Sequence, residues 1–192
     1  MYKDKFISLI MGNGDFRPYG TPNCFELASE DFALNFGSTV CRFGEDTITL
    51  DGKSYGYTCA KCDDNTYLVG FDKGAIFLDK ATGCAALYVD GKLQLCGLSE
   101  SEASAAKLAG CTARLNFAQG VAVVCKFGEK DIKFDGGSIA VESGKLGEDV
   151  YFVGADTEDG CVALLFNTAR FQFCGYLAGE KDALGGYLST VQ

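Results

Sequence analysis

Histidine and tryptophan are absent from this 192-residue chain, and proline and methionine occur twice each. Without histidine there is no imidazole proton shuttle, no Ser-His-Asp triad and no His-ligated zinc. Both prolines, Pro18 and Pro22, fall before residue 23, so no later strand loses a ladder donor to one. Positive charge is also scarce, with 17 Lys+Arg against 26 Asp+Glu and a net charge of −9. Nucleic acid and anionic membranes both select clustered positive charge, so neither is an expected partner. No apolar run approaches the ~18 residues of a spanning helix. Lys3-Asp4-Lys5 leads only into residues 6–11 before Gly12-Asn13-Gly14. That run is shorter than the core of a secretory leader, so the expected location is cytoplasmic. The glycine pairs at Gly12/Gly14 and Gly136/Gly137 have no G-x-G-x-x-G or Walker frame, and no nucleotide cofactor is expected.

What is present is a globular, glycine-rich and repetitive chain. Hydrophobic residues make up 47%, and there are 25 glycines, 15 phenylalanines, 9 tyrosines and 10 cysteines. Residues 41–72 align with residues 125–156 without a gap, with 13 identities over 32 positions. The identical pairs include Phe43/Phe127, Asp51/Asp135, Gly52/Gly136, Lys61/Lys145, Tyr67/Tyr151, Gly70/Gly154 and Asp72/Asp156. Upstream, Leu27-Ala28 and Leu108-Ala109 precede Leu34-Asn35-Phe36 and Leu115-Asn116-Phe117 at the same distance. Downstream, Gly83-Cys84 aligns with Gly160-Cys161 and Cys96-Gly97 with Cys174-Gly175, which gives the first copy seven extra residues after Asp72. The chain is a duplication.

Each copy reads as seven or eight short strands separated by turn chemistry. Asp51-Gly52, Asp90-Gly91 and Asp135-Gly136 stand between alternating segments and predict tight hairpins. Such spacing predicts an all-β, internally duplicated antiparallel architecture. Two small barrels are expected, with one larger barrel as the alternative. The boundaries follow as an N-terminal extension at 1–26, a first barrel at 27–98, a helical linker at 99–110 and a second barrel at 111–192. Ser99-Glu100-Ser101-Glu102 is a capping box ahead of an alanine-rich stretch, which predicts a helix over 100–109. Residues 178–184 are its expected counterpart.

Most of the cysteines sit within strand-like apolar runs, as Cys41, Cys125 and Cys174 do, and read as reduced, buried small hydrophobes. Cys59-Ala60-Lys61-Cys62 has redox spacing, but it sits at a strand end before Asp63-Asp64 rather than at a helix N-terminus. No second pair completes a zinc site, so no metal is expected. Ser54-Tyr55-Gly56 lies in a strand and is read as a coincidental match to a chromophore tripeptide. The candidate ligand-binding residues are the polar-capable and glycine pairs kept in both copies: Lys61, Tyr67, Gly70 and Asp72, with Lys145, Tyr151, Gly154 and Asp156. Tyrosine would supply an aromatic wall, Lys or Asp would orient a ligand, and glycine leaves room for a ligand or a neighbouring side chain. Symmetry of a duplicated barrel is the other explanation for all eight. Residues 66–72 and 150–156 are nearly all apolar, which predicts strands buried on both faces.

Both copies share an Ile-x-x-Asp-Gly hairpin, a Tyr-x-Val-Gly-x-Asp strand and a Gly-Cys-x-Ala-Leu segment. This set resembles the MoaF-like family of calycins, which have lipocalin-type antiparallel barrels. Residues 151–160 are also similar to a hairpin of phenolic acid decarboxylases. The resemblance implies a barrel with a cavity for a small apolar or aromatic molecule. Where the decarboxylases carry a tyrosine pair, this chain has Leu34/Phe36 and Leu115/Phe117. The expected function is therefore binding without catalysis. Two alternatives stand: a decarboxylase- or isomerase-type enzyme acting on a small aromatic acid, and an interaction module with no cavity.

Overall fold

A computed structural model describes residues 27–28, 32–104, 108–118, 120–178, 180 and 183–190. The expected extension at 1–26 lies outside the described residues. Two antiparallel meanders account for nearly everything else. The first runs β1 (Ala33–Phe36), β2 (Thr39–Phe43), β3 (Thr47–Leu50), β4 (Lys53–Lys61), β5 (Thr66–Phe71), β6 (Gly74–Asp79), β7 (Cys84–Val89) and β8 (Lys92–Cys96), each strand paired with the next. Its hairpins follow the expected turn chemistry. Asp51-Gly52 and Asp90-Gly91 both have positive φ at each residue, as a type I′ turn requires.

The second meander contains β9 (Thr112–Phe117), β10 (Ala122–Phe127), β11 (Asp131–Phe134), β12 (Gly137–Ala140), β13 (Glu142–Gly147), β14 (Val150–Thr157), β15 (Gly160–Asn167), β16 (Gln172–Leu177) and β17 (Leu184–Thr190). β12 and β13 correspond to the two halves of β4. In β4, residues 53–56 pair with β3 and residues 57–61 with β5, so this strand forms a corner of the barrel. The second copy breaks that corner at Val141. Each copy thus supplies eight equivalent staves. β17 pairs back onto β9 and closes the second barrel, whereas β8 and β1 do not pair.

The open seam has a local cause. In β17 the chain runs on through Tyr187, Leu188, Ser189 and Thr190 along β9. In the first copy the chain leaves the sheet just after Cys96, at Gly97 with φ +74°, and starts the linking helix α1 (Glu100–Ser104). The capping box forms: Ser99 N–H donates to Glu102 Oε2 at 2.8 Å, and Glu102 N–H donates to Ser99 Oγ at 3.3 Å. The helix is shorter than expected. Leu108, Ala109 and Gly110 form a turn, with Gly110 N–H donating to Phe127 O at 2.8 Å, and 105–107 lie outside the described residues. Residues 178–184 are not a second helix among the described residues. Leu184 opens β17, because a closing strand satisfies a whole ladder where one alanine-rich turn cannot.

The fold also corrects the downstream repeat register. Cys84 opens β7 whereas Cys161 lies on β15, the counterpart of β6. The equivalent pairs are Gly74/Val162, Asp79/Asn167, Gly83/Phe171 and Tyr88/Tyr176. Similar Gly-Cys-x-Ala-Leu segments on adjacent strands had aligned one hairpin out of step.

Period-two alternation gives each central strand two buried faces. Tyr67, Val69 and Phe71 join the interior of the first barrel with Ile76, Leu78 and Leu87. Leu68, Phe77, Ala86 and Tyr88 point the other way, into a layer shared with Phe152, Ala163, Leu165 and Tyr176 of the second barrel. The two barrels therefore pack side by side through β4–β7 and β13–β16. Both-face burial of β5 and β14 was legible in the sequence, and its cause is this second layer. No helix among the described residues is long and apolar enough to cross a membrane.

Candidate functional site

The eight predicted residues fall into two groups at opposite ends of β5 and β14. Lys61 faces Tyr67 across β4–β5, and Lys145 faces Tyr151 across β13–β14. Tyr67 is fully buried in the first interior, with the Lys61 and Lys80 ammonium groups each 5.9 Å from its ring centroid. Lys61 also pairs with Asp64 at 3.2 Å. Tyr151 is half-buried against the second interior, where burial and the Asp149 charge raise its phenol pKa. Gly70 and Asp72 lie three and five residues further along, on the other face, and so do Gly154 and Asp156 on β14. At about 3.3 Å per residue the Tyr and Asp ends stand ~17 Å apart. One cavity does not gather all eight.

The glycines make room for a neighbour. A Cβ on Gly70 would fall inside the ring of Tyr176, and one on Gly154 would stand 2.7 Å from Cγ of Tyr88. Each tyrosine belongs to the other barrel and is equivalent to its mate. The contact is therefore reciprocal, as in an isologous interface between two subunits. A second reciprocal pair flanks it. Asn167 donates to the Asp63 carboxylate, and at the equivalent place a Cβ on Gly147 would stand 2.7 Å from Asp79 Oδ2. Burial opposes ionisation of Asp63. Hydrogen bonds from Asn65, Thr66 and Asn167, with the charge of Arg170, outweigh it and hold the carboxyl below its usual range. Asp72, in the β5–β6 turn, and Asp156, near the end of β14, are exposed. Asp72 lines a shallow 350 Å³ groove with Asp46, Tyr57, Tyr176 and Glu180. Asp156 accepts from the Tyr88 phenol, whose pKa is raised by burial and by that carboxylate's charge.

The cavity best suited to an apolar molecule lies elsewhere, at one mouth of the second barrel. It measures about 170 Å³ and is lined by Leu108, Cys111, Ala113, Phe127, Phe166, Phe171 and Leu188, with Thr112, Thr168 and Ser189 at its margin. Phe127 and Phe166 meet edge to face at 5.7 Å in its wall. None of the lining residues is charged. The first barrel shows the same mouth closed: Leu27, the counterpart of Leu108, is fully buried in its core, whereas Leu108 is only half-buried.

Phe171 marks this mouth. It is 56% exposed and has φ +54°, in a turn position where the first copy has Gly83 at φ +70°. A bulky residue held in the left-handed region costs roughly 1–3 kcal/mol and points to a local function. The sequence reading missed these residues because they come from four separate stretches of chain, 108–113, 127, 166–171 and 188–189. The available signal was a phenylalanine standing at a turn glycine, and the misaligned downstream repeat hid it.

Among the described cysteines all nine are free thiols, and Cys111 is the one exposed. No group of three or more His, Cys, Asp and Glu side chains that could hold a metal is found among the described residues. The geometry defines a two-barrel protein with a small apolar mouth cavity. The chain matches no protein family and no curated protein.

Proposed function

We propose that this chain is a calycin-like binding protein of a reducing compartment, and that it takes one small apolar or aromatic molecule at the mouth of its second barrel. The observation that carries the reading is the 170 Å³ apolar cavity with the strained Phe171 at its edge. Eight-stave barrels are wide enough to hold one small ligand, and a dry cavity of ~150 Å³ accommodates benzene. The size favours a single ring over a drug-sized molecule. The free thiols support the compartment, since the described cysteines, exposed and buried alike, stay unpaired. A catalytic reading would place a carboxylate or a cation beside the bound ring, and the side chains of the lining supply hydroxyl groups and the single thiol of Cys111.

The test is NMR titration of the full chain with toluene and with indole. Saturable shifts at Ala113 and Leu188 are expected. Phe171→Gly restores the residue that the first copy uses, so it should keep or raise stability while weakening binding. Shifts that never saturate, or that arise in the first barrel instead, would overturn the assignment.

A further inference from the structure

Beside the open seam of the first barrel lies a groove of about 610 Å³. It is lined by three consecutive residues of β8, Leu93, Gln94 and Leu95, together with Phe36, Leu98, Ala103, Glu100 and Glu142. Consecutive strand residues point to opposite faces, so a groove that touches three in a row looks onto the strand's edge. The register shows what that edge offers. Val89 and Lys92 close the two-residue Asp90-Gly91 turn, which makes them a hydrogen-bonded pair, and Gln94 and Cys96 follow in the same phase. The backbone N–H and C=O of Leu93 and Leu95 therefore face away from β7, and β8 has no second strand partner among the described residues.

In the second barrel the corresponding edge is filled at its far end: β17 pairs with β9 from Gly186, the equivalent of Cys96, onward, and the carbonyl of Gly185, the equivalent of Leu95, accepts from Ala118 N–H at 3.2 Å. We propose that the free edge of β8 is a docking site for an extended segment of a partner protein, which adds to it as a strand. The chemistry of that segment follows from the groove. Phe36, Leu93, Leu95, Leu98 and Ala103 call for apolar side chains at alternate positions. Glu100 and Glu142 are the charged residues that line it, with no Lys or Arg among the lining residues, so the intervening positions carry lysine or arginine. A second copy of this chain fits less well, because it would bring −9 against −9. The site is distinct from the mouth cavity and does not depend on the small-molecule reading.

The probe is an acetylated nine-residue peptide of alternating valine and lysine, added to the full chain and followed by amide hydrogen exchange. Leu93 and Leu95 amides should gain protection, while Gln94 and Cys96, already bonded to β7, should change little. A peptide N-methylated at every second residue should lose binding, which tests strand pairing without altering the protein. Leu93→Pro removes an outward donor without touching the β7 ladder and should also abolish binding. Glu100→Lys with Glu142→Lys should weaken it about tenfold. The proposal fails if millimolar peptide leaves both amides unchanged, or if both are already protected in the free monomer. Equal binding of a valine–glutamate peptide would overturn the basic partner. Protection that rises with protein concentration alongside a dimer mass would identify the occupant as a second copy, and would overturn the proposal in favour of self-association.

Discussion

If Gly70 and Gly154 exist to seat Tyr176 and Tyr88, adding one methyl group to either should be costly. Glycine in a strand interior is ordinarily destabilising by roughly 0.5–1 kcal/mol relative to alanine, so a free position would gain from the change. Here a Cβ on Gly154 would stand 2.7 Å from Cγ of Tyr88, and one on Gly70 would overlap the Tyr176 ring. Tyr176 is 4% exposed and packed among side chains of both barrels, so its ring has little room to retreat. Overpacking of this kind costs about 1–3 kcal/mol, and the expected sign for Gly70→Ala is therefore reversed. Tyr176→Ala alone should cost about 3–5 kcal/mol through the void it leaves. In that background Gly70→Ala should become neutral or stabilising, because its methyl then fills space. The pair should thus couple by about 1–3 kcal/mol. Urea unfolding followed by circular dichroism and by tyrosine fluorescence measures all four corners of the cycle, and the absence of tryptophan leaves the tyrosine signal clean. Gly70→Ala costing the same with and without Tyr176, to within ~0.5 kcal/mol, refutes the reciprocal seat.

The buried thiols make the fold alkali-sensitive. Burial pushes Cys41, Cys125 and Cys161 up to about 12 from 9.0, so above pH 9 the unfolded chain releases protons that the folded chain keeps. Stability should then fall between pH 9 and 12 by about 1.4 kcal/mol per pH unit for each thiol, and Cys→Ala at these sites should flatten the pH profile. In a short iodoacetamide pulse at neutral pH, Cys111 should be labelled ahead of all three. Asn167→Ala should cost about 1–3 kcal/mol by stripping the Asp63 carboxylate of an inter-barrel donor. Because that carboxyl is held below its usual range, its contribution is present at neutral pH and is lost as pH falls through the folded pKa. The variant should therefore show a smaller acid-side loss than the parent.

The strands were legible because each carries its own signal: alternation, a bounding Asp-Gly and a repeat to check it against. The duplication was legible for residues 41–72 because no insertion breaks that stretch. What could not be read was the layer between the barrels. Gly70 showed that something must approach β5, but Tyr176 lies far along the chain, and no local pattern names it. The mouth cavity was invisible for the same reason. The linking helix was overestimated because Leu108 and Ala109 read as helix by composition, whereas Leu108 O accepts from Cys111 N–H in a turn and the Gly110 N–H bonds to the end of β10.

The equivalences between the barrels also explain where the symmetry fails. Reciprocal seats such as Gly70·Tyr176 and Gly154·Tyr88 are kept because each is a close fit, and loss of one partner leaves either a void or a clash. The departures gather where one continuous chain must do what two separate chains would not. The residues that would have closed the first barrel, in the position of Tyr187, Leu188 and Ser189, are used instead to leave the sheet at Gly97 and enter α1. The helix then places Ala103, 4% exposed, against β13, where a Cβ on Gly144 would meet the Ala103 carbonyl at 3.2 Å. Fusion thus costs the first barrel its closing strand and leaves the β8 edge open. The second barrel keeps its closing strand but has a looser mouth, where Leu108 follows the linker and Phe171 replaces a turn glycine. Both candidate sites, the groove and the cavity, therefore lie next to the connection between the copies, and the groove also borders the symmetric interface through Glu142, the register partner of Gly154.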